Sequence, residues 1–296
     1  MEMIYWNNEF TTILLLNIAI AIILFTSLRL FSGKISNISS DNELLVKDNP
    51  AFAISLAGVT LAVTIILCGS VYIDPIYNML ESVIGLGLYG LLGIILMAVA
   101  RIIFDKIALY KISVKKEIVA GNISAGIIDA GNVIASALVI SEIMVWVESK
   151  TFSGLAAILG AFVISQIFLT ASTYIRLKIF AYKNKDYLMT TAFQQKNVAL
   201  ALKFAGGEIG TAFAIAAASN LVVYEITDYY QFILTWSALS IIVMVFLSIL
   251  SFLANKVILF RVDMDYEIVG QRNTAIGILE FVILVSLGAL ILALMS

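Results

Sequence analysis

Three carboxylates and one lysine lie within stretches of this sequence that are apolar enough to cross a membrane: Asp129, Glu208, Glu280 and Lys203. A charged side chain at the centre of a membrane-spanning helix costs about 2.5–3.5 kcal/mol on insertion scales. Membrane proteins retain such residues where they pair with one another, bind a proton or line a hydrated path. The chemistry open to these acids is therefore proton exchange or the binding of a small cation, with Lys203 as the counter-charge.

Each acid follows an asparagine at a spacing that places both residues on one helix face. An α-helix turns about 100° per residue, so positions seven or eleven apart lie within about 20° of each other. The pairs are Asn122 with Asp129, Asn273 with Glu280, and Asn197 with Glu208. Lys203 comes six residues after Asn197 and points about 120° away from that face.

Two interpretations of the charged residues are open. In the first, Lys203 pairs with Asp129 or Glu208, and polar contacts hold the helices together without further function. In the second, the acids line a hydrated path or a cation site. One lysine cannot neutralise three acids, so we favour the second interpretation.

Four related segments place an asparagine at the start of an apolar run. They read "NPAFAISLAG" from Asn49, "NISAGIIDAG" from Asn122, "NVALALKFAG" from Asn197 and "NTAIGILEFV" from Asn273. The asparagines are 73, 75 and 76 residues apart. An asparagine at a helix start is a common N-cap, and it also offers a polar contact near a path entrance. Both roles are open for these four residues.

The composition indicates a polytopic membrane protein. Mean hydropathy is +1.04 and 13% of residues are charged, too few for the surface of a soluble domain. There is no histidine, so histidine-based zinc, haem and triad chemistry is excluded. The single cysteine, Cys68, cannot form an intrachain disulfide, and no nucleotide-binding motif is present. We predict no enzyme activity, no metal, no cofactor and no nucleic-acid partner.

The apolar runs predict an all-α membrane protein with eight transmembrane helices. These helices are expected near residues 11–31, 51–72, 82–104, 118–141, 152–175, 198–220, 231–254 and 273–295. Alternate connecting segments contain 16 of the 18 lysines and arginines. Because basic loops remain in the cytoplasm, both termini are predicted to lie outside.

The spacing of the asparagines predicts four parallel two-helix repeats. The odd helices also end alike, with a basic residue shortly before phenylalanine in "RLF", "RIIF", "RLKIF" and "KVILF". The second and fourth repeats match best, which indicates an older duplication of a four-helix module. We predict two such modules, at residues 1–148 and 149–296.

The motif Asn-x-x-x-small-aliphatic followed by Ala-Gly, opening a helix after a basic loop, resembles the YjfL-like family, domain of unknown function 350. The resemblance covers nearly the full chain, with two family modules in tandem. It implies a bacterial inner-membrane location and carries no established activity. The fourth segment departs from the motif, because Phe281 and Val282 replace Ala-Gly.

These observations predict a transporter or channel-like protein for a small cation or protons. Asp129, Glu208, Glu280 and Lys203 would form the path, and Asn49, Asn122, Asn197 and Asn273 would provide polar contacts at the helix starts. The alternative is a non-transporting scaffold or subunit whose cytoplasmic loops bind a soluble partner. Besides the lipid bilayer, the expected partners are a small cation or proton, further copies of the chain, or a cytoplasmic protein.

Overall fold

The computed structural model describes residues 8–36, 39–73, 79–146, 152–185, 187–223 and 228–296, and these residues form helices without any strand. The ten α-helices are α1 Asn8–Ser36, α2 Pro50–Ile73, α3 Met79–Ile103, α4 Val114–Val119, α5 Ile123–Trp146, α6 Phe152–Lys183, α7 Met189–Gln194, α8 Val198–Ser219, α9 Tyr229–Ile258 and α10 Thr274–Met295. Three π-helical turns add Asn42–Val46, Phe104–Ala108 and Tyr266–Gly270.

Seven of the described helices are long and apolar enough to cross a membrane, and they correspond to the second through eighth predicted spans. Helix α1 contains a shorter apolar stretch, Thr11–Ser27. The predicted module boundary near residue 149 lies outside the described residues.

The predicted fourth span, 118–141, begins too early. The structure separates the short helix α4 from α5, which starts at Ile123. Gly121 between them has a φ of 75°, and Asn122 N–H then bonds the Glu117 carbonyl at 3.0 Å. A residue in the left-handed conformation, followed by such a hydrogen bond, ends one helix and changes the direction of the chain before the next helix begins.

A left-handed backbone conformation precedes each of the four asparagines. The residue before each asparagine has a positive φ: Asp48, Gly121, Lys196 and Arg272. A short helical turn comes before it, so each of the four predicted repeats contains a third element that the apolar pattern did not predict. We name the corresponding chain segments unit 1 (α1–α2), unit 2 (α3–α5), unit 3 (α6–α8) and unit 4 (α9–α10).

The long helices form two layers. Helices α2, α5, α8 and α10 pack side by side in that order, as the helix row. The other layer places α3 against α2 and α5, α6 against α5 and α8, and α9 against α8 and α10, while α1 packs against α2 and α3. The two middle helices of the row, α5 and α8, are the most buried, with 72% and 78% of their spanning residues inside the protein.

Small residues explain the close spacing of the helix row. A Cβ built on Gly131 would lie 2.8 Å from the Cα of Ala205, and one on Gly206 would lie 2.7 Å from the Cα of Phe281. These distances are shorter than any ordinary carbon–carbon contact, so only glycine fits. Close packing of this kind is how membrane helices associate in the absence of a hydrophobic driving force.

Candidate functional site

Asp129 lies at a junction of three helices and is bound by an arginine. The Arg101 guanidinium donates from Nε to Asp129 Oδ1 at 2.8 Å and from Nη2 to Oδ2 at 2.6 Å. Ser55 of α2 completes the junction, because its hydroxyl donates to Oδ2 at 2.5 Å and accepts from Nη2 at 2.9 Å. Both oxygens of this buried carboxylate are therefore occupied in a bidentate pair.

Glu208 is bound by an arginine and a threonine of α6, through one of its two carboxylate oxygens. Arg176 and Thr173, both on α6, donate to Glu208 Oε1, the threonine at 2.8 Å. The same guanidinium also donates to the Gly207 carbonyl at 2.7 Å and to the Thr211 hydroxyl. A Cβ on Gly207 would lie 3.1 Å from Cζ of Arg176, so glycine lets the guanidinium approach the α8 backbone.

Glu280 is bound by a lysine and an amide. Lys203 of α8 lies 3.2 Å from Glu280 Oε1, and Asn255 of α9 donates to the same oxygen at 2.9 Å. The Glu280 side chain is buried, whereas 39% of the Lys203 side chain is exposed. Arg101 in the Asp129 pair is equally exposed, at 40%, whereas Arg176 in the Glu208 pair is 25% exposed.

The three acids consequently lie at separate helix contacts, each with its own cation. Lys203 pairs with Glu280, whereas the sequence-based alternative paired it with Asp129 or Glu208. The comparison of one lysine with three acids left out Arg101 and Arg176, because both were counted among the 16 basic residues of the connecting segments. Both lie within helices, Arg101 on α3 and Arg176 on α6, at the basic position before phenylalanine that recurs in the odd-numbered predicted spans.

The four asparagines cap the row helices, and three of them also join neighbouring units. Oδ1 accepts from the first helical turn, for example from Leu200 N at 3.0 Å in the case of Asn197. Nδ2 donates to a backbone carbonyl of the following unit. These bonds are Asn49 to Ile118 at 2.9 Å, Asn122 to Phe193 at 2.8 Å and Asn197 to Ile268 at 2.9 Å. The N-cap role expected from the sequence is thus combined with a link between units, and the role at a path entrance stays a prediction.

A glutamate supports three of these asparagines from the preceding turn. Nδ2 of Asn49, Asn122 and Asn273 donates to Glu43, Glu117 and Glu267 respectively, at 2.7–2.9 Å. The Lys47 hydrogen bond lowers the pKa of buried Glu43; burial opposes this shift, and the Asn49 amide adds to it. The carboxylate therefore holds the amide in a fixed orientation, with Oδ1 toward the helix and Nδ2 toward the neighbouring unit.

A few buried polar atoms have no hydrogen-bond partner among the described residues. They include the second carboxylate oxygens of Glu208 and Glu280 and polar atoms of Asn132, Ser136 and Gln166. No group of three or more histidine, cysteine or acidic residues that could hold a metal occurs in the described ranges.

A cleft of about 290 Å³ opens between the segment that follows α3 and helices α6 and α7. Tyr110, Tyr174 and Tyr182 line it and are exposed by 62%, 48% and 89%. Lys111 and Lys178 add positive charge beside two of these rings, with Lys178 Nζ 5.1 Å from the Tyr174 ring centre. The cleft thus combines exposed tyrosine rings with two lysines.

The fold and the ion-paired helix junctions together define a multi-pass, all-α membrane protein with an internal tandem repeat. The chain belongs to the family described as Domain of Unknown Function (DUF350), which matches residues 5–144 and again residues 150–295. These two matches confirm the predicted family and its tandem modules. No curated protein and no solved structure matches the chain significantly.

Proposed function

We propose that this protein is a non-transporting scaffold of the bacterial inner membrane. The observation that carries the proposal is that each intramembrane acid is bound by its own cation at a separate helix contact. A conducting path needs charged groups that face a shared hydrated volume. Here Arg101 and Ser55 donate three hydrogen bonds to Asp129 and bond both of its oxygens, so that carboxylate is neutralised by a fixed arginine in place of an exchangeable ion.

The proposed partner surface is the tyrosine- and lysine-lined cleft at the end of the bundle where the asparagines lie. On the proposed topology, this end faces the cytoplasm, where a soluble protein can reach it. The exposed rings of Tyr110 and Tyr182 offer apolar contact, while Lys111 and Lys178 favour an acidic segment. The scaffold would thus join the bilayer to a cytoplasmic partner.

Transport of protons or a small cation is the second candidate. It is favoured by the unpartnered buried oxygens of Glu208 and Glu280 and by the unpartnered polar atoms of Asn132 and Gln166. Such groups are usual beside internal water or an exchanged proton. On this candidate function, Glu208, Glu280 and Lys203 retain the path roles expected from the sequence.

A flux assay separates the two candidates. Purified protein in liposomes should show no flux of protons, Na⁺ or K⁺ above that of empty liposomes, because the acids are held in fixed ion pairs. Glu280→Gln serves as the diagnostic variant, because the second carboxylate oxygen of Glu280 has no partner and is the position at which a proton or cation could bind. Flux in the wild type that Glu280→Gln removes would refute the scaffold proposal and establish transport.

The proposed topology has eight crossings, with both termini outside. Because the basic residues concentrate at the asparagine end, we expect Lys185→Cys and Asp265→Cys, both at exposed positions, to resist a membrane-impermeant thiol reagent in intact cells. Val223→Cys, 82% exposed and just beyond the C-terminal end of α8, should react. Each variant would carry Cys68→Ala. The reverse labelling pattern would exclude this orientation.

A further inference from the structure

The helix row repeats one interface in a single direction. On the side facing the following unit, contacts come from positions 2, 9 and 13 after each asparagine. These positions are small and buried in the first three units: Ala51, Gly58 and Ala62; Ser124, Gly131 and Ala135; Ala199, Gly206 and Gly210. In α10 the same positions are Ala275, Val282 and Ser286, and all three are exposed.

The opposite side of each row helix follows a matching rule. Positions 4, 8 and 15 after the asparagine face the preceding unit. In α5, α8 and α10 they are buried or partly buried: Gly126, Ala130 and Ala137; Ala201, Ala205 and Ala212; Gly277, Phe281 and Gly288. In α2 they are Ala53, Ala57 and Thr64, and again all three are exposed.

The two exposed faces complement each other through contacts already present inside the chain. A Cβ on Gly126 would strike the Ala51 carbonyl, and one on Gly277 would lie 2.6 Å from the Cα of Ala199. Both are contacts of position 4 in one unit with position 2 in the unit before it. The corresponding unmade contact is that of Ala53 in one copy with Ala275 in another.

The polar link between units is also left incomplete at the two ends. Asn273 Nδ2 bonds Glu267, but no described carbonyl receives the second bond that Asn49 and Asn122 both make. At the other end, Leu44 follows Glu43 as Ile268 follows Glu267, so its carbonyl corresponds to the acceptor used by Asn197.

Lipid alone does not account for the composition of these faces. Helix α9 exposes large apolar side chains, among them Ile241, Ile242, Val245, Phe246 and Ile249. Of the six open positions of α2 and α10 named above, five are alanine, threonine or serine, and the sixth is Val282. Small residues are typical of faces on which another membrane helix packs.

We infer that α10 of one copy packs on α2 of a second copy, continuing the helix row from head to tail. The occupant is a second copy because one chain carries both halves of the repeated interface. Such an interface joins unlike faces, so the assembly grows as a string or closes as a ring. The inference adds self-assembly to the proposed scaffold but depends only on the helix faces. It therefore remains valid even if the flux assay shows that the protein transports ions.

Disulfide cross-linking between two differently tagged copies tests the inference. Both copies would carry Cys68→Ala, one with Ala53→Cys and the other with Ala275→Cys. Oxidation in membranes should give a mixed dimer when the two are co-expressed and no dimer when either is expressed alone. Dimers of Ala53→Cys with itself would indicate a symmetric interface and overturn the inference.

A control pair within one chain makes a negative result informative. Ser124→Cys with Ala201→Cys occupies the same two positions between units 2 and 3, and its disulfide can be identified by mass spectrometry. If this internal disulfide forms while the mixed dimer does not, head-to-tail packing is excluded. Ala57→Trp should also lower the oligomer mass in nanodiscs, whereas Ile241→Trp on α9 should not. Equal masses for these two variants would likewise count against the inference.

Discussion

Arg176→Met is expected to lower the free energy of unfolding by about 3–5 kcal/mol, the usual cost of removing one partner from a buried ion pair. The substitution leaves the carboxylate of Glu208, whose side chain is 1% exposed, without a counter-charge. It also removes the donor to the Gly207 carbonyl and the Thr211 hydroxyl. The midpoint of thermal unfolding in detergent, followed by size-exclusion chromatography, measures the effect.

Two further variants identify the cause. Lys183→Met removes an exposed cation near the end of the same helix and should change stability by less than about 1 kcal/mol. Arg176→Met combined with Glu208→Gln removes both charges and should recover at least half of the loss, because no buried charge is left unpaired. If Arg176→Met is no more harmful than Lys183→Met, the ion pair does not support the fold.

Gly131→Ala should be the second most harmful of these changes, at about 1–3 kcal/mol, the usual cost of overpacking. The new methyl group would lie 2.8 Å from the Cα of Ala205, so α5 and α8 must separate in the middle of the helix row. The expected readout is a lower unfolding midpoint, together with loss of protein from the membrane fraction.

Gly87→Ala is the matched control, since a Cβ at that position meets no atom within 4 Å. Alanine is favoured over glycine within helices by up to about 1 kcal/mol, so this variant should be neutral or slightly stabilised. Opposite signs for the two glycine substitutions would establish tight packing of the row. A stabilised Gly131→Ala would show that the row is looser than the structure indicates.

Much of the fold was predictable because it depends on local apolar patterns. The seven membrane helices, the family and the tandem modules follow from apolar runs and from the recurring asparagine motif. The start of α5 was placed too early because the apolar pattern continues through Gly121. Only the backbone conformation of that residue separates α4 from α5.

The candidate site was predicted only in part, because ion pairs depend on contacts between helices that a sequence does not specify. Asp129, Glu208 and Glu280 were recognised as unusual, but the two arginines that bind Asp129 and Glu208 were counted only as basic residues of the connecting segments. Arg101 lies 28 residues before Asp129, and Arg176 lies 32 before Glu208. The bonds from the asparagines to the following units span about 70 residues and could not be read from the helix-capping pattern alone.

The order of the ion pairs along the chain bears on how the protein is made. Every cation or amide found on the three acids lies upstream of its acid: Arg101 before Asp129, Arg176 before Glu208, and Lys203 and Asn255 before Glu280. Synthesis from the amino terminus therefore presents the counter-charge before each acid leaves the ribosome. The acid of each helix can therefore be neutralised as that helix enters the bilayer, because its partner has already been translated.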